Sequence, residues 1–197
     1  MFRMCLRDVA TLFTLTTLLK VSIEFPTGAP TSACETMMPG HPGVVPQSSP
    51  SPYIIKTNSS SYTKGNPIQV QIIGPGYRGI LLESRTFRST ATLGTWLQPV
   101  NNTKVLSCPE NSRGAMTHSN IILKTQATTY TWMPPETVCP NIIFFIATIA
   151  EGYDTYWLGV RSSFIWRDSS VTCSNGTTVP WISSVSVMLL LLLLLLF

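Results

Sequence analysis

Charge is scarce in this 197-residue chain: Asp, Glu, Lys and Arg together make up 11% of it. Amphipathic helices spend such residues on their wet faces, so the shortage argues against a helical protein. The net charge is only +4, and Lys and Arg do not cluster, which excludes nucleic acid as a partner class. Histidine is limited to His41 and His118. No two cysteines form a C-x-x-C pair, and no G-x-S-x-G elbow occurs among the many serines. The chain is therefore expected to hold no metal or other cofactor and no catalytic residues. His118, in MTHSN, reads as a hydrogen-bonded loop or strand-end side chain, because no acidic or cysteine partner is placed beside it; His41 also reads as structural.

The chain is rich in Ser, Thr, Pro and Gly, with short apolar runs between them, a balance that suits strands and turns. Its first residues, MFRMCLRDVATLFTLTTLLKVSIE, pass from basic to apolar to polar. That is the layout of a secretory signal peptide, assigned to 1–24 with cleavage near Ser22 to Glu24; a membrane-anchored or interfacial N-terminal helix is the alternative. Export removes Cys5 and leaves Cys34, Cys108, Cys139 and Cys173, an even number that predicts two disulfides in an oxidising compartment, with three pairings open. Sequons at Asn58, Asn101 and Asn175 agree with export.

The other end is the apolar run Val185–Phe197. As a helix it reaches about 20 Å, or about 26 Å counted from Trp181, against a hydrocarbon core of about 30 Å. It also has no basic stop-transfer flank. A glycosylphosphatidylinositol attachment signal fits better: small residues Ser174, Asn175 and Gly176, a polar spacer Thr177–Ser184, then the apolar tail. Asn175 is then at the attachment point rather than glycosylated, which leaves Asn58 and Asn101 as glycan sites. Residues 174–197 are read as this signal or, alternatively, as a short transmembrane tail, and the protein is expected on the outer cell surface.

Between the two ends, the Pro- and Gly-rich stretch from Phe25 to Tyr53 predicts an extended leader with little regular structure. NPIQVQIIG alternates Ile68, Val70 and Ile72 with Gln69 and Gln71, the period of a half-buried strand. GPGY is a turn, and RGILLESRTF and TQATTYTWMPP are further strands. IIFFIATIA reads as a central strand buried on both faces; EGYD breaks it, and YWLGVRSSFIW returns beside it. Six to nine such strands predict an all-β sandwich in one domain over 25–173.

The ordered motifs GAPTSACETMMPGH, YRGILLESR, CPENSRGAMTHSN, TWMPP and IIFFIATIA followed by YW together resemble the reeler domain. That module opens reelin- and spondin-type matrix proteins and ferric-chelate-reductase-like membrane proteins, and makes up most of small insect defence proteins. The resemblance implies an immunoglobulin-like antiparallel β-sandwich and the pairings Cys34 to Cys108 and Cys139 to Cys173. Ile80 departs from the aromatic that many relatives carry after Arg-Gly. Nothing resembles the haem-binding or multi-span segments of the reductases, so their activity is not implied. A recognition or adhesion module, with a role in innate defence, is the implied function. The alternative is a membrane-tethered ectodomain related to the reductase-like proteins but lacking their redox domains.

The partner expected is an extracellular protein, a glycan or a microbial-surface ligand. Of the aromatics Tyr130, Trp132, Tyr153, Tyr156 and Trp157, most are expected in the core, with Tyr153 in the EGYD turn the best placed to meet a ligand. Arg85 and Arg88, with Lys104, are the basic residues that would touch an anionic ligand, against the plainer reading of a solvated strand end.

Overall fold

The Ile68, Val70, Ile72 alternation is realised without a break. In the computed structural model, which describes residues 25–172, the strand Ile68–Ile73 buries those three side chains and leaves the two glutamines between them half-buried. Eleven strands form in chain order: β1 (Ile54–Thr57), β2 (Ser61–Tyr62), β3 (Ile68–Ile73), β4 (Gly79–Arg85), β5 (Thr95–Trp96), β6 (Thr103–Cys108), β7 (Asn111–His118), β8 (Thr129–Met133), β9 (Ile142–Ala150), β10 (Tyr156–Arg161) and β11 (Ile165–Arg167). One helical turn, α1 (Ala33–Thr36), lies in the leader.

The strands form two sheets. A four-stranded sheet runs β1-β3-β8-β5; the larger runs β2-β11-β9-β4-β7-β6, with β10 also pairing β9. Pairing is antiparallel except for the short β2–β11 contact. The expected sandwich is therefore present, with more strands than the apolar pattern suggests. YWLGVRSSFIW divides into β10 and β11, and the two-residue strands β2 and β5 are too short to show a period.

Strand β9 is central and buried on both faces, and its alternation sorts two cores. Ile143, Phe145, Ala147 and Ile149 face the other sheet and pack with Trp96, Tyr130 and Trp132. Phe144 and Ile146 face outward, where Ala33, Cys34 and Met37 of the leader cover them. In the inner core Trp132 crosses Phe145 edge-on at 5.2 Å, and the Tyr77 and Tyr130 hydroxyls bond each other at 2.8 Å. Trp96 Nε1 donates to Gly114 O and Trp132 Nε1 to Leu93 O, whereas the third indole of this core, Trp157, has a buried Nε1 with no partner among the described residues.

The Cys34–Cys108 disulfide is present, with Cα atoms 5.8 Å apart. Cys139 also has a bonded sulfur; its expected partner Cys173, the signal segment 1–24, and Ser174, Asn175, Gly176 and the tail lie outside the described residues. Among the described residues no helix is long and apolar enough to cross a membrane.

Candidate functional site

The leader creates the site. A Pro-rich segment cannot join a sheet as a central strand, so from Phe25 to Gln47 it crosses the outer face of the large sheet, held by side chains of that sheet. Thr117 Oγ1 accepts from Ala29 N at 3.0 Å, Thr148 Oγ1 donates to Met37 O at 2.6 Å, and Arg85 donates to the carbonyls of Cys34 and Glu35. Gly28, at φ +117°, passes so close to β7 that a Cβ would meet the His118 carbonyl. The disulfide to Cys108 fixes the middle of the crossing.

Between this strap and the ends of β4 and β9 an apolar cleft of about 220 Å³ remains. Met37, Met38, Leu81, Ile121 and Ala150 supply apolar wall; His41, His118, Arg78 and Tyr153 stand among them. The volume is below the roughly 300 Å³ at which cofactor-sized sites begin, so it has room for one apolar group and not for a haem-sized ligand.

His118 ends β7, as its sequence setting implies, and both of its nitrogens are engaged. Nε2 lies 3.0 Å from Phe25 O, and Nδ1 lies 3.2 Å from Ile80 N. Burial pushes its pKa below 6.5, so the ring is neutral, donates from Nε2 and accepts at Nδ1. Thr117 Oγ1 lies 3.4 Å from the same Nδ1, but its proton goes to Ile80 O at 2.7 Å, so the pair is not an activated nucleophile. His41 is tied to the cleft rim: its Nδ1 is 2.7 Å from Tyr153 O and its ring stacks on Tyr153 at 4.5 Å.

Of the residues proposed as ligand contacts, Tyr153 is on the cleft wall and half-buried. Tyr130, Trp132, Tyr156 and Trp157 are core. Arg88 is exposed at the far end of β4. Arg85 requires a correction: it is only 6% exposed and cannot meet an external ligand. Its Nε donates to Glu83 Oε2 at 2.8 Å, and the rest of its fork holds the strap. Residues i and i+2 of a strand share a face, so Glu83 and Arg85 stand side by side under the leader. Burial pushes Glu83 up to about 7 against the lowering effect of Arg85. Among the described residues Cys34, Glu83 and Cys108 also form a metal-sized cluster, but the disulfide consumes both thiolate ligands. Asn58 and Asn101 are exposed, as a glycan acceptor must be.

Sequence reasoning placed Tyr153 where a ligand could meet it but missed the cleft itself and Lys124, which braces the turn that carries Ile121 beside it. This lysine is 2% exposed, and its ammonium donates to the carbonyls of Arg78, Asn120 and Ile122 at 2.8, 3.0 and 2.9 Å. Burial, reinforced by Arg78, lowers its pKa to about 8. The available signal was a lone lysine after three consecutive apolar residues in a turn.

The model of the Reeler domain family matches residues 32–172. "Putative defense protein 3" of Antheraea mylitta is 36% identical over 149 residues, covering 74% of this chain and 88% of that protein. Ferric-chelate reductase 1 of Bos taurus is 31% identical over 145 residues, which cover 72% of this chain but only 24% of the reductase. The crystal structure of the human F-spondin reeler domain superposes with a TM-score of 0.52 at 14% identity, over 64% of this chain and 95% of that one.

Proposed function

The chain belongs to the reeler domain family, and from that premise we propose that it is an extracellular recognition module, held at the outer cell surface by its C-terminal segment, that captures one apolar group of a ligand in the cleft beneath its leader. The observation that carries this reading is the polarity of the large sheet. The cleft lies at the Ala150 end of β9, whereas the described chain leaves the sheet beside Ile142, where Arg167 N bonds Asn141 O. A nine-residue strand separates these ends by about 27 Å. A lipid anchor attached at Ser174 to Gly176 would therefore direct the cleft away from the membrane that carries it.

The insect relatives' names favour a role in defence, with a microbial-surface amphiphile as the ligand class. The likeness to the reductases is confined to a quarter of their length, so a redox role has no support in this stretch. The Antheraea protein consists almost wholly of the shared region, which supports treating that region as a folding unit; residues 25–173 are the ectodomain to test. N-phenyl-1-naphthylamine, an uncharged apolar dye, should bind the ectodomain with enhanced fluorescence. Gly152→Leu should abolish this, because a Cβ at Gly152 meets nothing within 4 Å and the added side chain can fill the cleft. Equal dye binding by the two proteins would reject the cleft as the site. For the anchor, phosphatidylinositol-specific phospholipase C should release the full chain from intact cells; retention beside a released control would reject it.

A further inference from the structure

At the cleft end of the sandwich the turn after β7 exposes three large apolar side chains in succession: Ile121 at 57%, Ile122 at 57% and Leu123 at 50%. An exposed run of this kind is a liability in water unless it has a partner. Two features identify the partner. Ile121 lines the cleft while the Leu123 side chain lies against Gly76, so the three do not share one flat face and no flat protein surface can cover all of them, whereas a fluid medium can. Half of the backbone groups of Ile121–Leu123 are also satisfied from within. Ile121 O accepts from Arg78 at 3.1 Å, Asn120 O and Ile122 O from the Lys124 ammonium, and Ile122 N donates to Asn120 Oδ1 at 3.0 Å. The Tyr77–Lys124 bridge closes the base through two backbone bonds of 3.0 and 2.8 Å.

Most surface turns leave such groups to water. Here internal groups take three of the six in Ile121–Leu123, which lowers the cost of carrying the turn into the interfacial region of a bilayer, where water reaches the others. We propose that the Ile121–Leu123 tip is a wedge that inserts into the interfacial region of an anionic lipid bilayer. Arg78 is exposed directly beneath the tip, where an inserted turn would place it at headgroup depth. Lys104, close enough to depress the His118 pKa, adds a second positive charge to this end. Glu151 and Asp154, the acidic residues of this end, belong to the separate β9–β10 turn. The wedge goes beyond the cleft reading; it shares Ile121 with the cleft wall, while Ile122 and Leu123 belong to it alone.

The test is flotation of the 25–173 ectodomain with vesicles of phosphatidylcholine and phosphatidylserine. The wild type should float, and Ile122→Ser should weaken partitioning about tenfold, the effect of withdrawing one large aliphatic side chain from lipid. Replacing Ile121, Ile122 and Leu123 together by Ser should abolish flotation, and Arg78→Gln should remove the preference for phosphatidylserine over phosphatidylcholine alone. Ile122→Trp, which keeps the tip apolar, should float with its emission shifted to the blue. Gly152→Leu should float like the wild type, so a cleft that fails to bind dye leaves this result intact. A wild type that stays with the aqueous phase, a triple variant that floats equally, or an Ile122→Trp emission that does not move on floated protein would each overturn the wedge.

Discussion

Replacing Arg85 by Met should make stability fall with pH in a range where the wild type is flat. Glu83 is fully buried, and its carboxyl is raised to about 7 from 4.5 by burial, with Arg85 as the one group that lowers it. The folded protein therefore holds this proton more tightly than the unfolded chain does. The contribution is most favourable below pH 4.5 and declines by about 1.4 kcal/mol per pH unit until the folded carboxyl ionises near 7. That is a total of roughly 3 kcal/mol, after which the wild-type curve levels off. Without the guanidinium only burial acts, and the carboxyl stays protonated well above 7. The variant should then go on losing about 1.4 kcal/mol per unit above pH 7 for as long as the carboxyl stays protonated, so its deficit against the wild type grows with pH. A pH-independent loss of about 1–3 kcal/mol comes on top, from the Cys34 and Glu35 carbonyls left without their donor. Urea denaturation at half-unit pH intervals measures both, and Glu83→Met with Arg85→Met should remove the pH-dependent part. Parallel curves for the wild type and Arg85→Met from pH 7 to 9 would refute the argument.

Converting both Cys34 and Cys108 to Ser opens a loop with a sequence separation of 74 residues and should cost about 4 kcal/mol on the chain-entropy model, read as a lower denaturation midpoint with unchanged secondary structure. Gly94→Ala should destabilise by more than 1 kcal/mol, or at least about 3 °C in melting temperature, because Gly94 sits at φ +59° and a Cβ would collide with the Met133 carbonyl and the Trp132 ring. Asn58→Gln and Asn101→Gln should each raise the electrophoretic mobility of the secreted protein by one glycan, while treatment with an N-glycosidase should bring all forms together.

The legible elements were those whose apolar pattern follows from burial alone. β3 shows its period because one face is wet, and β9 is continuously apolar because both faces are covered, by the other sheet and by the leader. The β6–β7 hairpin escaped because its buried residues include Thr103, Gly114 and Thr117, which carry no hydrophobic signal. The resemblance to the reeler family supplied the Cys34–Cys108 pairing, which spacing had left open. Arg85 misled for a related reason: an arginine on a strand reads as solvent-exposed until the leader is folded over it and Glu83 is seen two residues away on the same face. The cleft could not be read at all, since its walls come from four separated stretches that only the strap brings together.

That strap joins the chemistry of the core to the shape of the site. Its attachments are the disulfide, the Arg85 fork, the Thr148 and Thr117 hydroxyls and His118 Nε2. These join backbone or sulfur of the leader to side chains or sulfur of the large sheet, so that part of the leader needs little sequence of its own to be placed; nearer its end the His41 ring meets Tyr153 O and Gln47 N donates to Tyr156 O. Its own side chains are left to line the cleft, with Met37 and Met38 supplying unbranched, adaptable wall. A wall held at so many points would lose little conformational entropy when a ligand arrives, which would let a cleft of only about 220 Å³ bind usefully. It follows that loosening the strap without touching the cleft should weaken binding. Thr148→Val preserves side-chain volume on the sheet and removes only the bond to Met37 O. Its affinity for N-phenyl-1-naphthylamine should fall several-fold, with a stability loss of about 1 kcal/mol. An unchanged affinity in a measurably destabilised Thr148→Val protein would mean that the cleft keeps its shape independently of the strap.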